Sequence, residues 1–267
     1  MAKRKETALR TLTVALALCI VCSVVVSAAA VILKPAQVTN RNLDMKTNIL
    51  AAAGMLEPGA TADDIEHEFQ RFEVKLVDLK TGEYVDPASV QAKDAMSYDQ
   101  RRAAADPALS EKLNSSNDPA GIKRQANVAK VFVLEKDGEL QRVVLPIHGY
   151  GLWSTLYGFV SLKGDANTIE GLGFYSHAET PGLGGEVDNP KWKSQWPDKK
   201  VYGEDKSEPL IQLVKGGVDA SAPNSEHKVD ALSGATLTSR GVQHLVNFWM
   251  GERGFAPYLN KLREGEV

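Results

Sequence analysis

The sequence predicts an α+β fold, a mostly antiparallel sheet with packed helices, preceded by one transmembrane helix. Three observations carry this. Residues 11–33 form an uncharged apolar run. Residues 131–175 hold four short apolar runs separated by turn residues. Residues 237–249 repeat apolar side chains at helical spacing. The 267 residues suffice for one to two domains. A hydrophobic share of 43% and a charged share of 24% give a globular balance, which excludes wholesale disorder. Net charge is −3 and the isoelectric point is about 6.0. No nucleic-acid partner is expected from that balance. Two cysteines exclude a disulfide framework and a thiolate zinc ribbon. A mean hydropathy of −0.23 excludes a polytopic membrane protein and leaves room for a single span.

The apolar run, Thr11 to Leu33, would be about 34 Å long as a helix, enough for a hydrocarbon core of about 30 Å. A cleavable signal peptide is the rival, with Lys3, Arg4 and Lys5 as its basic end and Ser27-Ala28-Ala29 as a small-residue cleavage site. The run continues through Val31-Ile32-Leu33, which favours a retained anchor. Cys19 and Cys22 lie inside it without a His or acidic neighbour, and read as small apolar residues. Residues 1–10 carry Lys3, Arg4, Lys5 and Arg10; the ten after the span carry only Lys34 and Arg41. This bias points the N-terminus to the cytoplasm and the large domain to the outside.

After the span, residues 37–54 are helix-compatible and end at Gly54, with Pro58 beyond. A short helix opens at Thr61-Ala62-Asp63-Asp64, with Ile65, Phe69 and Phe72 at helical spacing. Residues 73–79 read as a strand turning at Thr81-Gly82, and residues 93–125 as an exposed helix and a loop. Strands at 131–134 and 143–145 flank Lys136-Asp137-Gly138-Glu139, whose Asp-Gly pair suits a type I′ hairpin. Further strands run from Leu156 to Leu162 and from Thr168 to Tyr175, completing an antiparallel meander. Asn189-Pro190 starts a helix on which Trp192 and Trp196 share a face. Leu210 to Lys215 reads as a strand broken at Gly216-Gly217. The last strong helix begins near Leu237 and carries Val242, Leu245, Val246 and Trp249 on one face.

The five histidines show no HExxH spacing, and no GxSxG, phosphate-loop or GxGxxG pattern occurs. No metal site and no catalytic residue is expected. Asp230-Ala231-Leu232-Ser233-Gly234-Ala235-Thr236-Leu237-Thr238-Ser239 reads as a strand, a tight small-residue turn and a helix N-terminus. Exposed backbone N–H groups and the positive helix end make a ready phosphate site, with the Thr236 hydroxyl at it. The bland alternative is that Ser233, Thr236 and Thr238 merely cap the helix. Glu179-Thr180-Pro181-Gly182-Leu183-Gly184-Gly185 would let backbone approach a flat ligand, or form a plain surface turn. His148-Gly149-Tyr150-Gly151-Leu152-Trp153 would suit a planar ligand, or a strand edge with core aromatics.

The stretch DALSGAT followed by TS resembles the flavinylation motif of the FMN-binding domain family, and ETPGLGG and HGYGLW match the same family upstream. The similar region spans about residues 127–255, after an extracytoplasmic extension over 34–126 and before a tail over 256–267. With that extension, the chain is similar to the C subunits of sodium-translocating NADH:quinone oxidoreductases. The G subunits of ferredoxin:NAD oxidoreductases share the motifs and are one alternative; a non-redox anchored periplasmic interaction domain, in which the SGAT turn is only a helix cap, is the other. The resemblance implies FMN joined through its phosphate to Thr236, with Asp230 positioning a metal or the hydroxyl during attachment. It implies that Ser233, Gly234 and Ala235 line the phosphate. Trp153, Glu179, Thr180, Leu183 and Gly184 would then hold the ribityl chain and ring, and Lys215 would reach the phosphate or the N1–C2=O edge. It also implies a single-pass subunit of a bacterial inner-membrane complex, a redox carrier rather than a complete enzyme. Its partners would be the other subunits, the membrane and a separate magnesium-dependent flavin transferase that uses FAD.

Overall fold

The computed structural model describes residues 7–205 and 208–267. The basic residues Lys3, Arg4 and Lys5 lie outside the described residues. Two compact units divide the chain at Asp44/Met45. The first contains one feature, the greater part of helix α1 (Ala8–Ala52). Among the described residues α1 is the one helix long and apolar enough to cross a membrane. The sequence gives an apolar span to Leu33 and a helix-compatible stretch over 37–54; in the structure both belong to α1, which is continuous through Pro35. Pro35 forfeits a single i→i−4 hydrogen bond. Ending the helix there would leave several carbonyls and several N–H groups unpaired. Pro35 also keeps its own carbonyl satisfied, by the Thr39 hydroxyl at 3.2 Å.

The second unit begins with the last turns of α1, where Ile49, Leu50 and Ala52 are buried. The helix stops in a left-handed Gly54 (φ +68°). There the Met55 N–H reaches back to Leu50 O and the Gly54 N–H to Ala51 O, a Schellman closure. Helix α2 (Ala62–Phe69) opens with a capping box between Thr61 and Asp64. A five-stranded sheet follows, in the order β1 (Glu73–Asp78), β4 (Val128–Lys136), β5 (Glu139–Tyr150), β6 (Thr155–Lys163), β7 (Ile169–Ser176). Every pair in it is antiparallel. Asp137 (φ 55°) and Gly138 (φ 80°) make the expected type I′ turn between β4 and β5. The edge strand β1 comes from the 34–126 extension and pairs along its whole length with β4. Within residues 93–125, expected as an exposed helix and a loop, the structure has α3 (Gln100–Ala105) and a small hairpin of β2 (Ser110–Lys112) and β3 (Arg124–Ala126). Strands of three residues carry no readable alternation, which is why they escape a sequence reading.

Both faces of the sheet are covered. On one, Phe69 of α2 meets Phe132, which in turn meets Phe159 edge-on at 6.0 Å. On the other lies the main core, in which α5 (Thr236–Met250) and α6 (Ala256–Glu264) are packed. Between β7 and α5 in sequence come the short α4 (Pro190–Lys193), capped by Asn189, and the parallel pair β8 (Gln212–Val214) and β9 (Lys228–Asp230). This pair is the one exception to antiparallel pairing among the described strands.

Helix α5 sits unusually close to β5. A Cβ on Gly241 would meet Tyr150 O at 2.5 Å, and one on Gly149 would meet the Leu245 Cβ at 2.5 Å. The Trp249 indole N–H donates to His148 O at 2.7 Å. This contact fixes the height of α5 over the sheet and so the place of its N-terminus. Helix propensity favours Gly241→Ala by about 1 kcal/mol. A Cβ forced into backbone costs about 1–3 kcal/mol and outweighs it. Gly241→Ala in the full chain should therefore lower the urea midpoint; an unchanged or raised midpoint would contradict the close packing.

Candidate functional site

The site is built around the start of α5. Strand β9 delivers the chain to Ala231, whose N–H donates to Val214 O. Gly234 turns the backbone with φ +72° and Ala235 takes the N-cap position. Alanine has no side chain to cap with, and no side-chain cap is made. Among the described residues no acceptor is found for the N–H groups of Ser233, Gly234, Thr236, Leu237 and Thr238. Ser233 and Gly234 are exposed and Thr236 is half-buried. The capping alternative therefore does not hold. The Thr238 hydroxyl donates to Glu179 Oε2 at 2.8 Å. Ser239 is tied to Leu232 and Ala235. The Thr236 hydroxyl makes no hydrogen bond within the described chain.

Two loops meet this helix end through one buried carboxylate. Glu179 Oε1 accepts from the N–H groups of Leu152 (3.2 Å), Trp153 (3.0 Å) and Ser154 (3.1 Å) and from the Ser154 hydroxyl. Its Oε2 takes the Thr238 hydroxyl. The sequence reading set Glu179 beside the ribityl chain and ring. Its carboxylate is turned inward, with its acceptor positions filled, and it holds the site from beneath. A Cβ on Gly184 would strike Thr238 Oγ1 at 2.6 Å and Glu179 Oε2 at 2.8 Å, so this glycine lets the loop close over the pair. Leu183 lies against Gly234: its Cδ2 is 3.1 Å from the place of a Cβ there. Leu183, Leu237 and Trp153 remain exposed, Trp153 at 67%. The exposed Thr180 lends its carbonyl to the N–H groups of Leu183 and Gly185.

Other expected residues stand farther off. Asp230 Oδ1 accepts from the Val218 N–H at 2.7 Å and so holds the Gly216-Gly217 turn; the carboxylate makes no hydrogen bond to Thr236. It faces a cleft of about 550 Å³ that Lys191, Gln195 and Lys228 also line. Lys215 follows Val214, the register partner of Asp230, and its exposed side chain forms no ion pair among the described residues. His177 stays outside the site, its Nδ1 accepting from the Glu179 N–H and its Nε2 meeting Asp188 at 2.8 Å. His148 stacks between Tyr157 and Trp249, and burial with help from Arg101 pushes its pKa down to about 4. Sequence reasoning missed the Ser154 and Thr238 contacts with Glu179. The available signal was an acidic residue heading a glycine-rich loop, in a chain with two other small-residue turns.

This assembly is a helix end with unpaired N–H groups rimmed by exposed apolar side chains, the kind of site that suits a phosphorylated flat ligand. An FMN-binding domain model matches residues 151–251, which contain all of it. The C subunit of the Na(+)-translocating NADH-quinone reductase of Pseudomonas aeruginosa is 50% identical over 98% of this chain and 99% of its own. Its counterpart in Vibrio anguillarum is 46% identical over 99% of both. A crystal structure of NqrC from Shewanella oneidensis superposes with a TM-score of 0.73 at 38% identity, covering 83% of this chain and 97% of that one. The chain belongs to the NqrC family, the C subunits of Na(+)-translocating NADH-quinone reductases.

Desolvation tends to raise the Glu179 pKa, but the Trp153 N–H, the Thr238 hydroxyl and the other donors outweigh it and hold the carboxyl below its ordinary value. A folded-state pKa below the unfolded one gives stability that is complete above the unfolded pKa. That stability is lost as pH falls through the folded one. Glu179→Gln would set an amide donor against N–H and O–H donors, at a cost of about 1–3 kcal/mol. Urea unfolding of the full chain in detergent should show that deficit at neutral pH, shrinking on acidification through the carboxylate range. A deficit constant with pH would contradict an ionised Glu179.

Proposed function

We propose that this chain carries FMN joined through its phosphate to Thr236 and serves as an electron-transfer station of a sodium-translocating NADH:quinone reductase. The observation that carries the reading is the unpartnered, half-buried Thr236 hydroxyl at an uncapped helix N-terminus, within the region that the FMN-binding model matches. A phosphodiester keeps one negative charge, which the helix end and the unpaired N–H groups of 233–238 stabilise. The exposed Trp153, Leu183 and Leu237 supply apolar contact, and Gly184 and Thr180 bring backbone close beside them. FMN supplies the capacity to take up and release electrons; the chain supplies position, tuning and a tether.

Attachment forms one bond and breaks one. Thr236 Oγ1 displaces AMP from the pyrophosphate of FAD and loses its proton, under a magnesium-dependent flavin transferase. Asp230 would position the metal or the hydroxyl at that stage, and Lys215 would reach the phosphate or the N1–C2=O edge. In cells making the transferase, the chain should gain the mass of FMN less one water and fluoresce on a denaturing gel. Thr236→Ala should abolish both, and a label retained in that variant on Thr238 or Ser239 would overturn the assignment.

The same reading puts the second unit on the outer side of a bacterial inner membrane, with α1 as a single-pass anchor. The bias of Lys and Arg toward residues 1–10 supports this orientation. A membrane-impermeant reagent should label lysines such as Lys215 in cells whose outer membrane is permeabilised. Labelling only after the inner membrane is broken would reverse the topology.

A further inference from the structure

Glu179 is 5% exposed and forms no ion pair among the described residues. A buried carboxylate without a cation is costly unless hydrogen bonds satisfy it. Here the charge is held by three consecutive backbone N–H groups and two hydroxyls. One of those hydroxyls, from Thr238, stands two residues after Thr236 on the first turn of α5. Two of the N–H groups belong to Leu152 and Trp153, under the exposed Trp153 ring. The negative charge thus lies directly beneath the surface formed by the Thr236 turn, the Trp153 loop and Gly184.

We infer that Glu179 is a positioning residue that also lowers the midpoint potential of a flavin held at this surface. The inference rests on the reading of Thr236 as the attachment residue. Reduction of the flavin takes up two electrons and one proton and so adds one net negative charge, the electrons coming from the complex or, in a titration, from a chemical reductant. A fixed negative charge nearby opposes that gain through a medium that screens poorly. The donors around Glu179 partly offset its field, so removing a donor and removing the charge act in opposite directions.

The test is a potentiometric titration of the full chain, flavinylated in cells and purified in detergent. Peptide mass analysis of the unaltered chain comes first. A flavin absent from Thr236 there is a failure of the attachment reading and not of this inference. With flavin on Thr236, Glu179→Gln should raise the midpoint potential. Thr238→Val, which keeps the charge and removes one donor, should lower it. In the flavin-free Thr236→Ala background, Glu179→Gln should also speed hydrogen exchange at the amides of residues 152–154. A folded Glu179→Gln chain with an unmoved or lowered potential would overturn the inference. If that variant does not fold, Thr238→Val decides alone: a lower potential supports the inference, and an unchanged or higher one overturns it.

Discussion

The site depends on one carboxylate that cannot share its position with water. Glu179 gathers donors from a loop 25 to 27 residues before it and from a helix 59 residues after it. Each hydrogen bond to such a charged group is worth about 1.5–3 kcal/mol net. Their arrangement matters more than their sum. An ionised carboxylate offers acceptors only, and here it meets donors only. The contact therefore admits one register of the three segments. Gly184 completes the lock, since its Cβ position is already taken by Thr238 Oγ1 and Glu179 Oε2. The turn that presents Thr236 is held by what lies behind it, which leaves its outer N–H groups unspent.

Below this layer the sheet supplies the level. Its strands are apolar on both faces because α2 covers one and α5 with α6 the other. Helix α5 rests on β5 through the glycine contacts at positions 149 and 241, so its first turn ends beside the Gly151–Ser154 loop. The parallel pairing of β8 with β9 then brings the chain to that turn from the direction of Gly216-Gly217. Asp230, six residues before Thr236 along the chain, secures this approach through one carboxylate oxygen, which accepts from the Val218 N–H.

Much of the framework was legible in the sequence, because alternation and turn chemistry act locally. The Asp137-Gly138 hairpin, the four meander strands, the Asn189 cap and α5 all follow from patterns within a dozen residues. The membership of the chain in its family was also legible, since three motifs carry it. What could not be read was long-range or too short. Hairpin β2–β3 has too few residues to show a period. The continuity of α1 through Pro35 turns on a comparison of bonds lost and kept, which residue preference alone does not supply. The inward turn of Glu179 needed partners from two distant segments, so the sequence showed a polar residue in a glycine loop and nothing of its direction.

The distances in sequence between those partners have a further consequence for the order of events in the life of the chain. Contacts of high separation form late, after loop closure has been met by enough other structure. Residues 228–239, cut out as a peptide, would keep every letter of the motif. They would lack the Val214 carbonyl that receives Ala231 and the Glu179 carboxylate that receives Thr238. The helix end that presents Thr236 exists only once β5, β8 and the glycine loop are in place. An enzyme that acted on that hydroxyl would thus meet a finished surface and not an emerging thread.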